Sequence, residues 1–254
     1  EYGGSAENRV RFPARVLQAV KDAVGREMAV IAKINVADGV RRGATAEDAV
    51  VTAQALEAAG ADLLALSGGR TPESVLPLLA AKPLDWSRVD VTLTDERWVP
   101  PAHPASNAGM VRRCFLEHGA DAAALHPLWT DASSPADGLA AVNASLAAIS
   151  MPPDVAYLGF GEDGHVASLF PAVDAAGFDA PDGVCVAGLA PSEPRERISL
   201  SLSALLGTAT LYLLFGGADK ARVYEAALSG PPDAGLPLSL LLQSRHPDIR
   251  VYRY

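Results

Sequence analysis

The residues best suited to chemistry fall in a few short, glycine-bearing stretches. The first is Gly159-Phe-Gly-Glu-Asp-Gly-His-Val-Ala-Ser-Leu-Phe-Pro171, which follows the apolar run Val155–Leu158. Glycines at 159, 161 and 164 let the backbone turn sharply and approach a ligand closely. Asp163 and His165 are the polar side chains left at the mouth of that turn. An imidazole can titrate near neutral pH and so can serve as general base or acid. Taken alone, the stretch reads more readily as a solvated glycine turn.

The second stretch is Ser67-Gly68-Gly69-Arg70-Thr71-Pro72, a strand-end loop entering a helix. Thr71 has the chemistry of an N-cap and Pro72 suits the first helical position. Free backbone N–H groups and the helix dipole would make such a loop a phosphate cradle, although a plain tight turn has the same text. Asp95, Glu96 and Arg97 end the run Asp90–Asp95, either as ligand contacts or as a solvated charge cluster. Lys220 follows Gly216-Gly-Ala-Asp in the first turn of a helix, where the dipole disfavours a cation. Its place there suggests an anion, and a solvated lysine is the alternative. Arg197 opens a further strand.

The elements that must position these groups alternate strand and helix. Strands are expected over 29–35, 62–67, 90–95, 125–129, 155–158, 184–189, 197–202, 210–215 and 249–252. Helices are expected over 9–24, 45–59, 106–118, 135–149, 218–228 and 238–244, with shorter ones after Thr71 and at 203–207. The pattern implies an α/β fold, a mostly parallel sheet flanked by helices. In such sheets ligands bind beyond the carboxyl ends of the strands, where the candidate residues all fall.

Composition narrows the class. The 254 residues are 49% hydrophobic, enough for a sizeable core. A formal net charge of −9 argues against a general nucleic-acid surface, so an anionic ligand needs a local cluster of cations. Cys114 and Cys185 lie far apart without metal-ligand spacing, and both read as buried, reduced thiols of a cytoplasmic protein. No apolar run reaches the length of a membrane span, and no signal peptide opens the sequence.

In combination and order, LALSGGRTP, TDERWVPPAHPASN, LGFGEDGHVASLFP, RISLSLSALL and FGGADKARV resemble the 6-phosphogluconolactonase family over about residues 66–254. Glucosamine-6-phosphate deaminases are near relatives by motif, but they read DEY and GHIAFN where this chain reads DERW and GHVASLFP. The resemblance implies a Rossmann-like fold of the sugar-phosphate isomerase and lactonase type. It also implies hydrolysis of 6-phospho-D-glucono-1,5-lactone without metal or organic cofactor. Carried over, His165 is the general base for water and Asp163 orients it. Ser67, Gly68, Gly69, Arg70 and Thr71 hold the phosphate with Arg197 and Lys220, while Arg97 contacts sugar or phosphate. Asp95 and Glu96 complete the substrate-binding set by ordering the site. Arg70 stands where that family commonly has a small hydroxyl residue. A monomer or weak homodimer is implied, with no nucleic-acid or membrane partner.

Residues 1–69 carry a different resemblance. EYGGSAENRVRF, AVIAKIN and ATAEDAVVTAQALEAAGADLLALSGG are similar to an internal piece of the old yellow enzyme family of flavin oxidoreductases. There a basic residue matching Lys33 lies near the flavin. The barrel strands on either side of that piece are missing from this sequence, so no flavin site is expected. The two resemblances meet at Leu66-Ser67-Gly68-Gly69. The expected organisation is therefore an atypical strand–helix segment, 1–65, packed as the first layer of a domain spanning 66–254. The rival readings are an amino-sugar-phosphate deaminase and an inert hybrid chain.

Overall fold

A computed structural model describes residues 63–172, 176–245 and 248–253. The strand at 29–35, the helices at 9–24 and 45–59, and Lys33 lie outside the described residues.

The main sheet contains β1 (Leu63–Leu66), β2 (Asp90–Leu93), β4 (Ala124–Leu125), β5 (Val155–Leu158), β8 (Thr210–Phe215) and β9 (Ile249–Arg253). Its order is β4-β2-β1-β5-β8-β9, and every pairing is parallel. Beginning at β1, the chain builds outward through β2 and β4, then returns to place β5 on the other side of β1. The direction of winding thus reverses between β1 and β5. A crevice opens at that point, beyond the strand ends, because the connections leave on opposite faces. The loops after β1 and β5 are the two glycine-rich stretches.

The strands are short apolar runs, as a sheet covered on both faces requires. Ala65, Val91, Leu93, Ala156, Leu158, Leu211 and Leu213 are buried in one continuous core. The described helices are α1 (Arg70–Ala80), α2 (Asn107–Cys114), α3 (Pro135–Leu146), α4 (Leu202–Gly207), α5 (Ala218–Ser229) and α6 (Pro237–Leu242). Ser134 and Ser201 cap α3 and α4 through their hydroxyls.

Several expectations are corrected. Asp90–Asp95 is not one strand: β2 ends at Leu93, and β3 (Asp95–Arg97) leaves for a second sheet. That sheet is antiparallel, in the order β3-β7-β6, with β6 (Cys185–Leu189) and β7 (Glu196–Leu200). Sequence alone does not separate the sheets, because Asp90–Asp95 alternates polar and apolar residues like one strand and carries no glycine or proline at the bend. Helix α1 begins at Arg70 with Gly69 at its cap, so Thr71 is not the N-cap. Gly69 has φ +113°, a conformation that lets the chain enter the helix two residues early. Pro72 still lies in the first turn, where no N–H is needed. Helix α2 stops at Cys114, followed by a 3₁₀ turn at Leu116–His118. Cys185 is buried, and burial pushes its thiol up to about 12; Cys114 is half-buried rather than buried. Both are free thiols. Among the described residues no helix is long and apolar enough to cross a membrane.

Candidate active site

A cleft of about 270 Å³ lies at the crevice between β1 and β5. It is lined by Ser67 and Gly68 after β1, Gly161 and His165 after β5, and Arg97 with Arg197 from the second sheet. Lys220 from α5, together with Asp95 and Asn107, completes its polar wall. A larger cavity of about 580 Å³ sits between α3 and the start of β6, but mostly Ala, Leu and Met side chains line it. Among the described residues that line it there is no cation to hold an anion. The chemistry belongs to the smaller cleft.

The loop after β5 is built to present one histidine. Gly161 N–H donates to the His165 carbonyl at 2.9 Å, and Gly164 N–H donates to the Gly161 carbonyl at 3.1 Å. Gly164 takes φ +81°, and α6 fastens it through Leu238 N–H to its carbonyl at 2.9 Å. A side chain on Gly161 would put a Cβ 2.2 Å from His165 Nδ1, so the closeness of the ring requires glycine there. Ala167, on the cleft wall, holds φ +49°, an uncommon value for a residue with a Cβ. His165 Nδ1 lies 2.6 Å from Asp163 Oδ1. The same oxygen accepts the His165 backbone N–H at 3.2 Å. A carboxylate at Nδ1 selects the tautomer with the proton there. Nε2 is then the nitrogen with a lone pair to accept a proton.

The same cleft holds the cations. Arg97 and Arg197 are directly paired across β3 and β7. Their guanidiniums repel one another, and burial with the Arg97 charge lowers the Arg197 pKa from its ordinary value. Asp95 and Glu96 oppose that shift, and an arginine stays charged at neutral pH. Arg97 Nη1 donates to the Ala105 carbonyl at 2.8 Å and to Asn107 Oδ1 at 2.7 Å. Arg197 Nε donates to the Pro194 carbonyl at 2.8 Å. Arg97 Nε and the Ser67 hydroxyl are buried with no hydrogen-bond partner among the described residues. Both belong to residues of the cleft wall, where an anion could accept from them. Lys220 Nζ lies 5.5 Å from the centre of the Phe160 ring.

Asp95 and Glu96 are adjacent but face different ways. Asp95 is 7% exposed, lines the cleft, and accepts from the Ser168 hydroxyl at 2.6 Å. Glu96 is fully buried and is not among the residues that line the cleft. Its carboxylate accepts the backbone N–H of Arg97 (2.8 Å), Asn107 (2.7 Å) and Ala108 (2.7 Å), and the Ser106 hydroxyl (3.0 Å). It therefore pins the start of α2 beneath the site. Burial pushes its carboxyl up, and these hydrogen bonds pull it back.

The sequence-predicted groups Ser67, Gly68, Asp95, Arg97, His165, Arg197 and Lys220 converge on one cleft. Asp163 stands behind His165, and Gly69 caps α1. The side chains of Arg70 and Thr71 lie outside the described ones. Sequence reasoning missed Asn107, which lines the cleft, Ser168, which donates to Asp95, and Phe170, whose ring centre lies 4.7 Å from that of His165. Asn107 Nδ2 donates to the Asp95 carbonyl at 2.8 Å while its oxygen holds Arg97. A Cβ on Gly68 would lie 1.9 Å from that oxygen, so the loop after β1 packs directly on Asn107. All three missed residues stand inside the quoted motif text, but no spacing rule singles them out.

The model of the family described as glucosamine-6-phosphate isomerases/6-phosphogluconolactonase matches residues 38–250. That of the NADH:flavin oxidoreductase / NADH oxidase family matches residues 1–73. A 6-phosphogluconolactonase of Pseudomonas putida is 41% identical over 202 residues, covering 78% of this chain and 81% of its own. One from Pseudomonas aeruginosa is 38% identical over 208 residues, 80% of this chain and 87% of its own. Among solved structures, a 6-phosphogluconolactonase from Shewanella baltica superposes with a TM-score of 0.73 at 36% identity. The superposition covers 78% of this chain and 86% of that one.

Proposed function

The chain belongs to the glucosamine-6-phosphate isomerase/6-phosphogluconolactonase family, and on that premise we propose that it hydrolyses 6-phospho-D-glucono-1,5-lactone to 6-phosphogluconate. The observation that carries the reading is an imidazole, oriented by a carboxylate, in one small cleft with a cluster of cations.

In this reading Arg197, Lys220, Ser67 and the N–H groups of the loop after β1 hold the phosphate. Arg97 contacts the sugar or the phosphate. Binding energy spent on the phosphate, remote from the reacting carbon, holds the lactone carbonyl before His165. His165 Nε2 takes a proton from water as the water oxygen bonds to the carbonyl carbon. The tetrahedral centre then collapses, the bond from that carbon to the ring oxygen breaks, and the imidazolium returns the proton to the leaving oxygen. Asp163 stabilises the imidazolium and keeps Nε2 aimed at the cleft. The product is an open-chain acid, which ionises in water. General-base assistance of this kind is worth roughly 10² to 10⁴ in rate.

The cytoplasm and a monomer or weak homodimer belong to the same reading; light scattering after size exclusion checks the second. The deciding experiment offers the purified protein 6-phosphogluconolactone and glucosamine 6-phosphate side by side. Lactone hydrolysis well above the spontaneous rate, without ammonia release from the amino sugar, is expected. Ammonia release instead would assign the deaminase reaction, and neither activity would leave the hybrid chain inert.

A further inference from the structure

Phe170 is an aromatic residue of the site that the mechanism above does not use. It is half-buried, and among the described residues it takes no part in the hydrophobic core. Phe160, ten residues earlier, behaves as an ordinary core aromatic. It is 3% exposed and meets Phe215 edge-on with ring centres 4.9 Å apart. Phe170 instead touches two polar groups. Its ring centre is 4.7 Å from that of His165, at an interplanar angle of 42°. The Arg197 guanidinium carbon lies 5.8 Å from the same centre.

Each of these groups is otherwise held weakly at its working end. Among the described residues Asp163, at Nδ1, is the hydrogen-bond partner of the His165 ring, and one hydrogen bond leaves a ring free to tilt about it. The Pro194 carbonyl fixes Arg197 at Nε, short of its terminal nitrogens. An aromatic face attracts a guanidinium and offers a flat stop to an imidazole. We propose that Phe170 is a positioning residue that holds the imidazole of His165 and the guanidinium of Arg197 at one fixed separation, matched to a single bridging substrate. This rests on the reading of His165 as base and Arg197 as phosphate contact. Loosening both groups misaligns a substrate gripped at one end and attacked at the other, which is where small displacements are costly.

Phe170→Ala, Phe170→Leu and Phe170→Tyr test the proposal by steady-state lactone hydrolysis and thermal melts, beside His165→Ala and Arg197→Ala. Phe170→Ala is expected to lower kcat about tenfold and raise KM about fivefold, with a melt close to the parent's because no core contact is lost. The tyrosine variant restores both constants, whereas the leucine variant, which lacks the aromatic face, leaves KM raised. If the alanine variant melts much lower, the tyrosine–leucine contrast decides instead. When Arg197 is already alanine, Phe170→Ala no longer changes KM. Phe170→Ala within twofold of the parent in both constants overturns the proposal. So does a KM effect undiminished in the Arg197→Ala background, or a leucine variant equal to tyrosine in KM. Wild-type turnover by His165→Ala would instead sink the base assignment, a failure visible without any Phe170 variant.

Discussion

Two histidines of this protein each sit 2.6 Å from an aspartate, one pair in the loop after β5 and the other on the edge of the main sheet. Asp163 and His165 lie beyond the carboxyl end of β5. Asp90 is the first residue of β2, and His126 directly follows β4, the neighbouring edge strand of the main sheet. Distance and chemistry are the same, but the surroundings differ. His165 is held through Nδ1 by a neighbour two residues away, and its Nε2 is left to the cleft. His126 is held through Nε2 by a partner 36 residues away. Its backbone serves the sheet, with its carbonyl accepting from the Thr92 hydroxyl at 3.0 Å and its N–H donating to the Val91 carbonyl at 2.8 Å. Neither His126 nor Asp90 lines the cleft that holds the arginines and Lys220. An Asp–His contact is thus an incomplete signature of a general base. What separates the two pairs is the ring nitrogen left over and the groups it faces.

That contrast can be broken by mutation. The largest effect is expected from His165→Ala, which should lower kcat for the lactone by about 10² to 10⁴. Its melt should stay within roughly 1 kcal/mol of the parent, because the side chain is partly exposed. Turnover like the parent's would erase the distinction between the pairs. Next come the Asp163 variants. Asp163→Ala frees the ring and should cost about 10² in kcat. Asp163→Asn should cost only about tenfold: the backbone N–H of His165 keeps an oxygen at the Oδ1 position, so the tautomer survives while the charge is lost. Equal rates for the two variants would show that the charge, not the orientation, is what Asp163 supplies.

Arg197→Ala sharpens the contrast through the cleft that His165 shares with Arg197 and that His126 does not line. It should raise KM about tenfold with a smaller change in kcat, because it removes a ground-state contact to the phosphate. An unchanged KM would remove Arg197 from the phosphate site. The smallest effect is expected from His126→Ala. Its partner Asp90 is 40% exposed at the side chain, so the pair is worth roughly 0.2 to 1 kcal/mol of stability. Lactone turnover should stay within about twofold of the parent's. A kcat loss comparable to that of His165→Ala would overturn the division of roles.

Much of the fold and site was legible in the text. Thr210–Phe215 was read with the bounds it has, and the turn carrying His165 was read from its glycines alone. Lys220 stands out in the sequence because it opposes a helix dipole, and it does lie in the first turn of α5. The second sheet was not legible. Asp90–Asp95 reads as one strand because nothing in its side chains marks the bend after Leu93. The opposite fates of Asp95 and Glu96 were hidden for a similar reason. Alternation in a short strand says that neighbours face opposite sides, but not which side is the cleft. Phe170 reads as an ordinary apolar residue until its neighbours are known.

The sequence by itself determined the strands and the turns that bear the reactive groups, because apolar runs, glycine freedom and helix-end chemistry act over a few residues. The tertiary structure decided which of those turns share a space. Arg97 meets Arg197 only through antiparallel register, and Ser168 reaches Asp95 across 73 residues of chain. The site opens between β1 and β5 because the winding of the sheet reverses there. Such pairings depend on how whole layers pack, a property that no local stretch of residues carries.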